Sequence, residues 1–226
     1  MFVAIRPRKH RQTRWVTPLL VTLLCASFVW MQMLPAPTRQ AWLLAWGALG
    51  GPLRLGLDAG SALAWLRLIS SLFLHADWAH LVGNLVFLMI FGLPAERLMG
   101  SSRFLLLFLL GGAVANLAAA VSLAEGRVII GASGTVSAVL GAWLALFPRA
   151  RLGVVVPLGL FLEFVRAPAA LLIGLWALLQ VVFAYIGPAY GQVAWVAHLA
   201  GFGFGGVFAL LSRRAIAKRM RKQAGY

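Results

Sequence analysis

The sequence predicts an all-α polytopic membrane protein, and three features carry that expectation. Of its 226 residues 62% are hydrophobic and only 11% charged, with a mean hydropathy of +0.91. The apolar residues gather into runs close to the ~20 residues that cross a ~30 Å hydrocarbon core at 1.5 Å per residue. Basic residues fall at the two ends and in alternate connecting segments, which accounts for the net charge of +15 without a nucleic-acid partner. An ordinary water-soluble domain is excluded.

In chain order, residues 1–15 form a basic leading segment with Arg6, Arg8, Lys9, Arg11 and Arg14. Residues 16–34 predict a first span: the run is too long for a secretion signal and has no small-residue cleavage site. Cys25, the sole cysteine, lies within it, so neither an intramolecular disulfide nor a cysteine metal site is available. Residues 36–74 are rich in Leu and Trp, with Trp42, Trp46 and Trp65, but are broken by Pro37, Gly50-Gly51-Pro52, Gly56 and Gly60. That pattern predicts an outer loop lying in the membrane interface.

Further spans are predicted at 75–95, 104–122, 133–148, 169–187 and 194–212, making six. Between the fourth and fifth, Val154 to Pro168 is apolar but broken by Pro157 and Gly159 and interrupted by Glu163 and Arg166; it predicts a short inner-side hairpin. One domain therefore covers 16–212, and 213–226 is a basic tail containing Arg213-Arg214 and Lys218-Arg219-Met220-Arg221-Lys222. With the N-terminus inside, sixteen of the twenty basic residues face inward; Arg39, Arg54, Arg67 and Arg127 face outward. The asymmetry predicts an even number of spans with both termini cytoplasmic, and the basic ends are expected to touch anionic lipid headgroups.

Ser133 opens the fourth span within Gly131-Ala132-Ser133-Gly134, and His198 lies a few residues into the sixth within Ala197-His198-Leu199-Ala200-Gly201. Ionisable groups at membrane depth are costly and usually functional, so a serine and a histidine at matched depth suggest a nucleophile and its base. Small residues at four-residue spacing, Gly134 and Ala138 against Ala197, Gly201 and Gly205, would let the two backbones approach. Read singly, either residue fits a packing seam; read jointly, they favour hydrolytic chemistry. His80 and Asn84, one helical turn apart, are candidates for stabilising an oxyanion together with the Ser133 backbone N–H. His75 and Asp77 are expected to cap or brace the start of that helix, and Glu96-Arg97 with Gly100 to brace an inner turn.

Only five carboxylates exist, Asp58, Asp77, Glu96, Glu125 and Glu163, and none lies on the sixth span. A dyad without a third acidic member is therefore expected, its ring oriented by packing. The same scarcity argues against a proton-coupled transporter. Neither a metal nor an organic cofactor is implied.

These residues together resemble the rhomboid family of intramembrane serine proteases, in its bacterial six-span form. The resemblance rests on His75-Ala76-Asp77-Trp78-Ala79-His80-Leu81-Val82-Gly83-Asn84, on the Ser133 and His198 segments with Gly205, and on Gly174-Leu175-Trp176-Ala177-Leu178-Leu179-Gln180 in the fifth span. It implies that Ser133 is the nucleophile, His198 the general base, and His80 with Asn84 the oxyanion-stabilising pair. It further implies a multi-pass protein of the bacterial inner (plasma) membrane whose substrates are single-pass transmembrane proteins. The alternative is a rhomboid-like adaptor that binds transmembrane clients without cutting them; relatives of that kind lose the serine or the histidine, and both are kept here. One departure is Trp65-Leu66-Arg67, where the family often has adjacent Trp-Arg.

Overall fold

A computed structural model describes residues 14–51, 62–158, 161–186 and 194–224. Its helices are α1 (Val16–Met33), α2 (Ala36–Trp46), α3 (Ala62–Ser70), α4 (Trp78–Phe87), α5 (Leu93–Met99), α6 (Ser101–Ser122), α7 (Ser133–Leu146), α8 (Ala169–Ile186) and α9 (Trp195–Ala224). Four strands, β1 (Ala48–Leu49), β2 (Val128–Ile129), β3 (Arg151–Leu158) and β4 (Phe161–Pro168), with a 3-10 turn at Ser71–Phe73 and a π turn at Leu88–Gly92, complete the described elements.

The fold is a polytopic helical bundle. Among the described residues five helical stretches are long and apolar enough to cross a membrane: Val16–Met33, Trp78–Met99, Ser101–Ser122, Ala169–Ile186 and Trp195–Arg221. The second joins α4 to α5 through a single π turn, Leu88–Gly92. Pro94 follows that turn; its missing N–H and its ring bulk disrupt the regular hydrogen-bond ladder one turn upstream.

The fourth expected span resolves to α7, which has 14 residues and rises only about 21 Å. That is short of a bilayer crossing. The reason is position: every residue from Gly134 to Trp143 is buried, so α7 is lined by protein rather than lipid and need not match the lipid's thickness. Its Val139 and Leu140 share a core with Leu20, Leu24, Phe28, Leu72, Leu88, Phe104 and Phe108, among others.

Within the segment 36–74, expected as an outer loop, the described residues include the helices α2 and α3. Pro37 sits in the first turn of α2, where a missing N–H costs nothing and the fixed φ favours helix entry. Arg67 Nε donates to the Ala45 carbonyl at 2.9 Å and Ser70 Oγ to the Trp46 carbonyl at 2.7 Å, so α3 is tied to α2. Strand β1 pairs antiparallel with β2, Ala48 opposite Ile129 and Leu49 opposite Val128. The same segment thus reaches the loop that leads into α7.

On the opposite side, β3 and β4 form an antiparallel hairpin from Arg151 opposite Pro168 to Leu158 opposite Phe161. Helix α9 is continuous through the expected boundary at residue 212 and runs to Ala224, because Arg, Lys, Ala and Met are good helix formers. Its end docks back on the bundle: Arg219 Nη1 donates to the carbonyls of Arg97 at 3.0 Å and Leu98 at 2.9 Å. Those carbonyls close the last turn of α5, where a cation is favoured.

Glu96 anchors the same end. Its carboxylate, 1% exposed, accepts from the Val16 N–H at 3.0 Å, the Thr17 N–H at 2.9 Å, Thr17 Oγ1 at 2.7 Å and Ser101 Oγ at 2.6 Å. It serves as an N-terminal cap for α1 supplied from another helix, satisfying N–H groups that α1 cannot satisfy itself. The brace expected at Glu96 therefore joins three helices rather than one turn.

Candidate active site

Ser133 begins α7 at the end of a loop held from several sides. Gly131 has φ +107°, a conformation that a side chain strains, and a Cβ there would come within 2.5 Å of the His80 ring. The Gly131 N–H donates to the Ser71 carbonyl at 2.8 Å, and the Ala132 N–H to His75 Nε2 at 3.5 Å. Ser71 is itself fixed by Asn116, whose Nδ2 donates to Ser71 Oγ and to the Leu68 carbonyl, both at 2.9 Å. No side chain caps α7 at Ala132, so the first N–H groups of the helix remain available at the serine.

The approach of α7 to α9 follows from their small residues. A Cβ on Gly201 would fall against the Gly134 carbonyl, one on Gly205 against the Ala138 carbonyl, and one on Gly141 against the Phe202 carbonyl. Backbone meets backbone at each step, as small-residue seams between membrane helices permit. Gly134 in turn packs against Ala115 of α6.

This seam brings Ser133 Oγ to 2.9 Å from His198 Nε2. On the far edge of the ring, His198 Nδ1 lies 2.7 Å from Gln180 Oε1 of α8. With the amide oxygen facing the ring, the contact fits the tautomer in which Nδ1–H donates to Gln180 and Nε2 accepts from the Ser133 hydroxyl. The ring is oriented by a hydrogen bond to Gln180, not by packing alone as the sequence suggested. Trp195, one turn before His198, sets its ring edge-on at 5.9 Å and stacks on Phe183 at 4.9 Å.

His80 and Asn84 both lie on α4. The His80 ring sits against Gly131 and 5.0 Å from the His75 ring. Asn84 is 6% exposed, and its Nδ2 has no hydrogen-bond partner among the described residues. A buried amide donor without a partner is uncommon and needs a reason. Asp77 caps α4, accepting from the His80 N–H at 2.8 Å. His75 is 4% exposed; burial first, then the neighbouring His80, lowers its pKa to about 4.

In the sequence Gln180 marks only the end of the fifth-span run, with no role, and Asn116 is not singled out. Each is a lone amide within an apolar helix, which is the signal that could have found them. A cavity of about 420 Å³ lined by Trp15, Met99, Gly100, Ser101, Ser102, Arg103 and Arg219 lies at the other end of α6 and has no part in this site. Among the described residues no cluster of three His, Cys, Asp or Glu side chains is placed to hold a metal. The segment 187–192, whose Gly and Pro residues would suit a hinge or cap, lies outside the described residues.

Fold and site together define a helical membrane protein that holds a half-buried serine–histidine–glutamine hydrogen-bond chain. Residues 62–215 match the Rhomboid domain, and the chain belongs to the rhomboid family. It is 35% identical over 80 residues to the putative rhomboid protease YdcA of Bacillus subtilis, covering 35% of this chain and 40% of that protein. It is 33% identical over 128 residues to the rhomboid protease GluP of the same organism, covering 57% and 24%. With RHOMBOID-like protein 5 of Arabidopsis thaliana it shares 29% over 157 residues, covering 58% and 51%. The chain thus spans about half or less of the length of each of these relatives.

Proposed function

We propose that the chain is an intramembrane serine endopeptidase that cuts peptide bonds in or near the transmembrane segments of single-pass proteins. The observation that carries this reading is the Ser133 Oγ to His198 Nε2 hydrogen bond of 2.9 Å inside a membrane bundle of the rhomboid family. In the first step Nε2 takes the hydroxyl proton as Oγ attacks the peptide carbonyl carbon. The tetrahedral intermediate collapses, the C–N bond breaks, and Nε2–H returns the proton to the leaving amine. Water then repeats the sequence on the acyl ester: its proton passes to Nε2, its oxygen bonds to carbon, and Ser133 Oγ leaves and is reprotonated.

The negative oxygen that forms twice in this cycle requires donors. The uncapped N–H groups at the start of α7, the unpartnered Nδ2 of Asn84 and the His80 ring beside Gly131 support that role; losing one such donor costs about 10²–10³ in rate. A substrate helix hides its peptide bonds in its own hydrogen bonds, so the cut segment must unwind, and small or helix-breaking residues there favour cleavage. The distribution of basic residues supports a topology with both termini cytoplasmic and the dyad towards the outer face, and the resemblance to bacterial six-span rhomboids supports a bacterial inner membrane as its location.

The test is cleavage of a single-pass reporter with a small-residue outer segment by wild type, Ser133→Ala and His198→Ala in membranes. Wild type alone should cut, with either variant at least about 10³-fold slower. An uncut reporter together with no Ser133-dependent fluorophosphonate labelling would overturn the reading in favour of a client-binding adaptor.

A further inference from the structure

We infer that Gln180 is a positioning residue that selects the reactive tautomer of His198, doing with a neutral amide what an acid does in a three-membered serine hydrolase site. The inference rests on the dyad reading above but concerns a different atom, His198 Nδ1.

Free imidazole can carry its proton on either nitrogen, and only one arrangement leaves Nε2 able to take a proton from Ser133. Among the described hydrogen bonds to His198 Nδ1, the partner is Gln180 Oε1 at 2.7 Å, on a side chain 6% exposed. Because that oxygen has no proton to give, the contact forms only when Nδ1 holds one. When Nε2 gains a second proton during acylation, the ring becomes a cation, and the same Oε1 continues to accept from Nδ1–H. One contact thus serves the resting ring and its charged form.

The residue type suits the location. A carboxylate at Gln180 would stabilise the cation more strongly, but as a buried charge inside the bundle it would carry a desolvation cost in every resting molecule. An amide presents an equivalent oxygen with no net charge. The five acids of the chain all lie off α8 and α9, so no carboxylate on either helix competes for the role. The placement also links the site to α8: a displacement of this helix that carried Gln180 away would release Nδ1, and the ring could then adopt its other tautomer with Nε2 blocked.

The decisive experiment compares wild type, Gln180→Leu and Gln180→Glu in detergent, with His198→Ala used to assign signals. Ring ¹⁵N spectra report the tautomer without any substrate. Wild type should show His198 protonated at Nδ1, and Gln180→Leu should lose that preference. In parallel, kcat and KM are measured against pH on a fluorogenic transmembrane peptide. Gln180→Leu should lower kcat roughly 10- to 100-fold, as loss of a supporting hydrogen bond typically does, with KM within about two-fold. Gln180→Glu should recover most of that rate and move the acidic limb of the kcat/KM profile to higher pH.

An unchanged tautomer in Gln180→Leu would overturn the inference, as would a loss confined to KM or one that Gln180→Glu does not relieve. A wild type with the expected tautomer but no cleavage or serine labelling would instead remove the protease reading, leaving the Gln180–His198 assignment standing.

Discussion

Two of the helices that flank α9, α7 and α8, both reach His198, yet they are held in opposite ways. Helix α7, which carries Ser133, is buried from Gly134 to Trp143 and meets α9 through glycine on bare carbonyl oxygens. Helix α8, which carries Gln180, buries only Ala169, Ile173 and Gln180, while Leu171 is 65% and Tyr185 90% exposed. In lipid, large apolar side chains gain little by turning towards a neighbouring helix, whereas close backbone approach gains dispersion contacts. Leucine-rich α8 is therefore the less firmly fastened of the two. Ser133, the proposed nucleophile, stands on the rigid side of the histidine, and Gln180, the proposed positioning residue, stands on the loose side.

That contrast can be broken most directly at Gly205. In Gly205→Val the new side chain would collide with the Ala138 carbonyl, which only a shift of the whole helix could relieve. The expected cost is about 3 kcal/mol or more, at the upper end of the range for overpacked sites, read as loss of folded protein or a large fall in Tm in detergent. A near-normal Tm would mean that the α7–α9 seam is not the rigid element.

Glu96 tests whether the rigid half also depends on its far end. Glu96→Ala would leave the Val16 and Thr17 N–H groups and two hydroxyls without their acceptor. About 2–3 kcal/mol of stability should be lost, by unfolding in detergent, and Glu96→Gln should lose less because it keeps one oxygen.

A smaller effect is expected from His75, which props the loop before Ser133. Its folded pKa of about 4 lies below the ordinary 6.5, so the buried ring is neutral and the unfolded chain binds the extra proton first. Its contribution is complete above pH 6.5 and is lost as the pH falls towards 4, reaching about 1 kcal/mol near pH 5.5 by linkage. Stability measured across that window should fall less steeply in His75→Gln, which cannot titrate; parallel curves would dismiss the effect.

The smallest change belongs to the loose side. A Cβ at Gly174 of α8 meets nothing within 4 Å, so Gly174→Ala should leave Tm unchanged or raise stability by up to about 1 kcal/mol through helix propensity. A marked loss would show that α8 is packed more closely than its exposed side chains indicate.

Particular residues show which parts of this arrangement were legible. The run predicted at 16–34 is α1 to within a residue, and 104–122 and 169–187 match α6 and α8 closely, because span length is a one-dimensional property of apolar composition. The glycines of the seam were legible for the same reason: spacing of four places them on one helical face. Helices α2 and α3 were not, since Pro37 reads as a breaker until it is known to stand in a first turn. Nor was the brevity of α7, because apolar residues buried in protein and apolar residues facing lipid look alike in a sequence.

Composition and spacing alone determined the membrane class, the approximate spans and the identities of Ser133, His198, His80 and Asn84 as candidates, since each depends on local pattern and helical period. Tertiary structure alone decided that Gln180, 18 residues from His198, takes the ring's far nitrogen while Ser133, 65 residues away, takes the near one. Such contacts depend on the rotation and depth of three separate helices, and those are set by how closely each pair of backbones can pack.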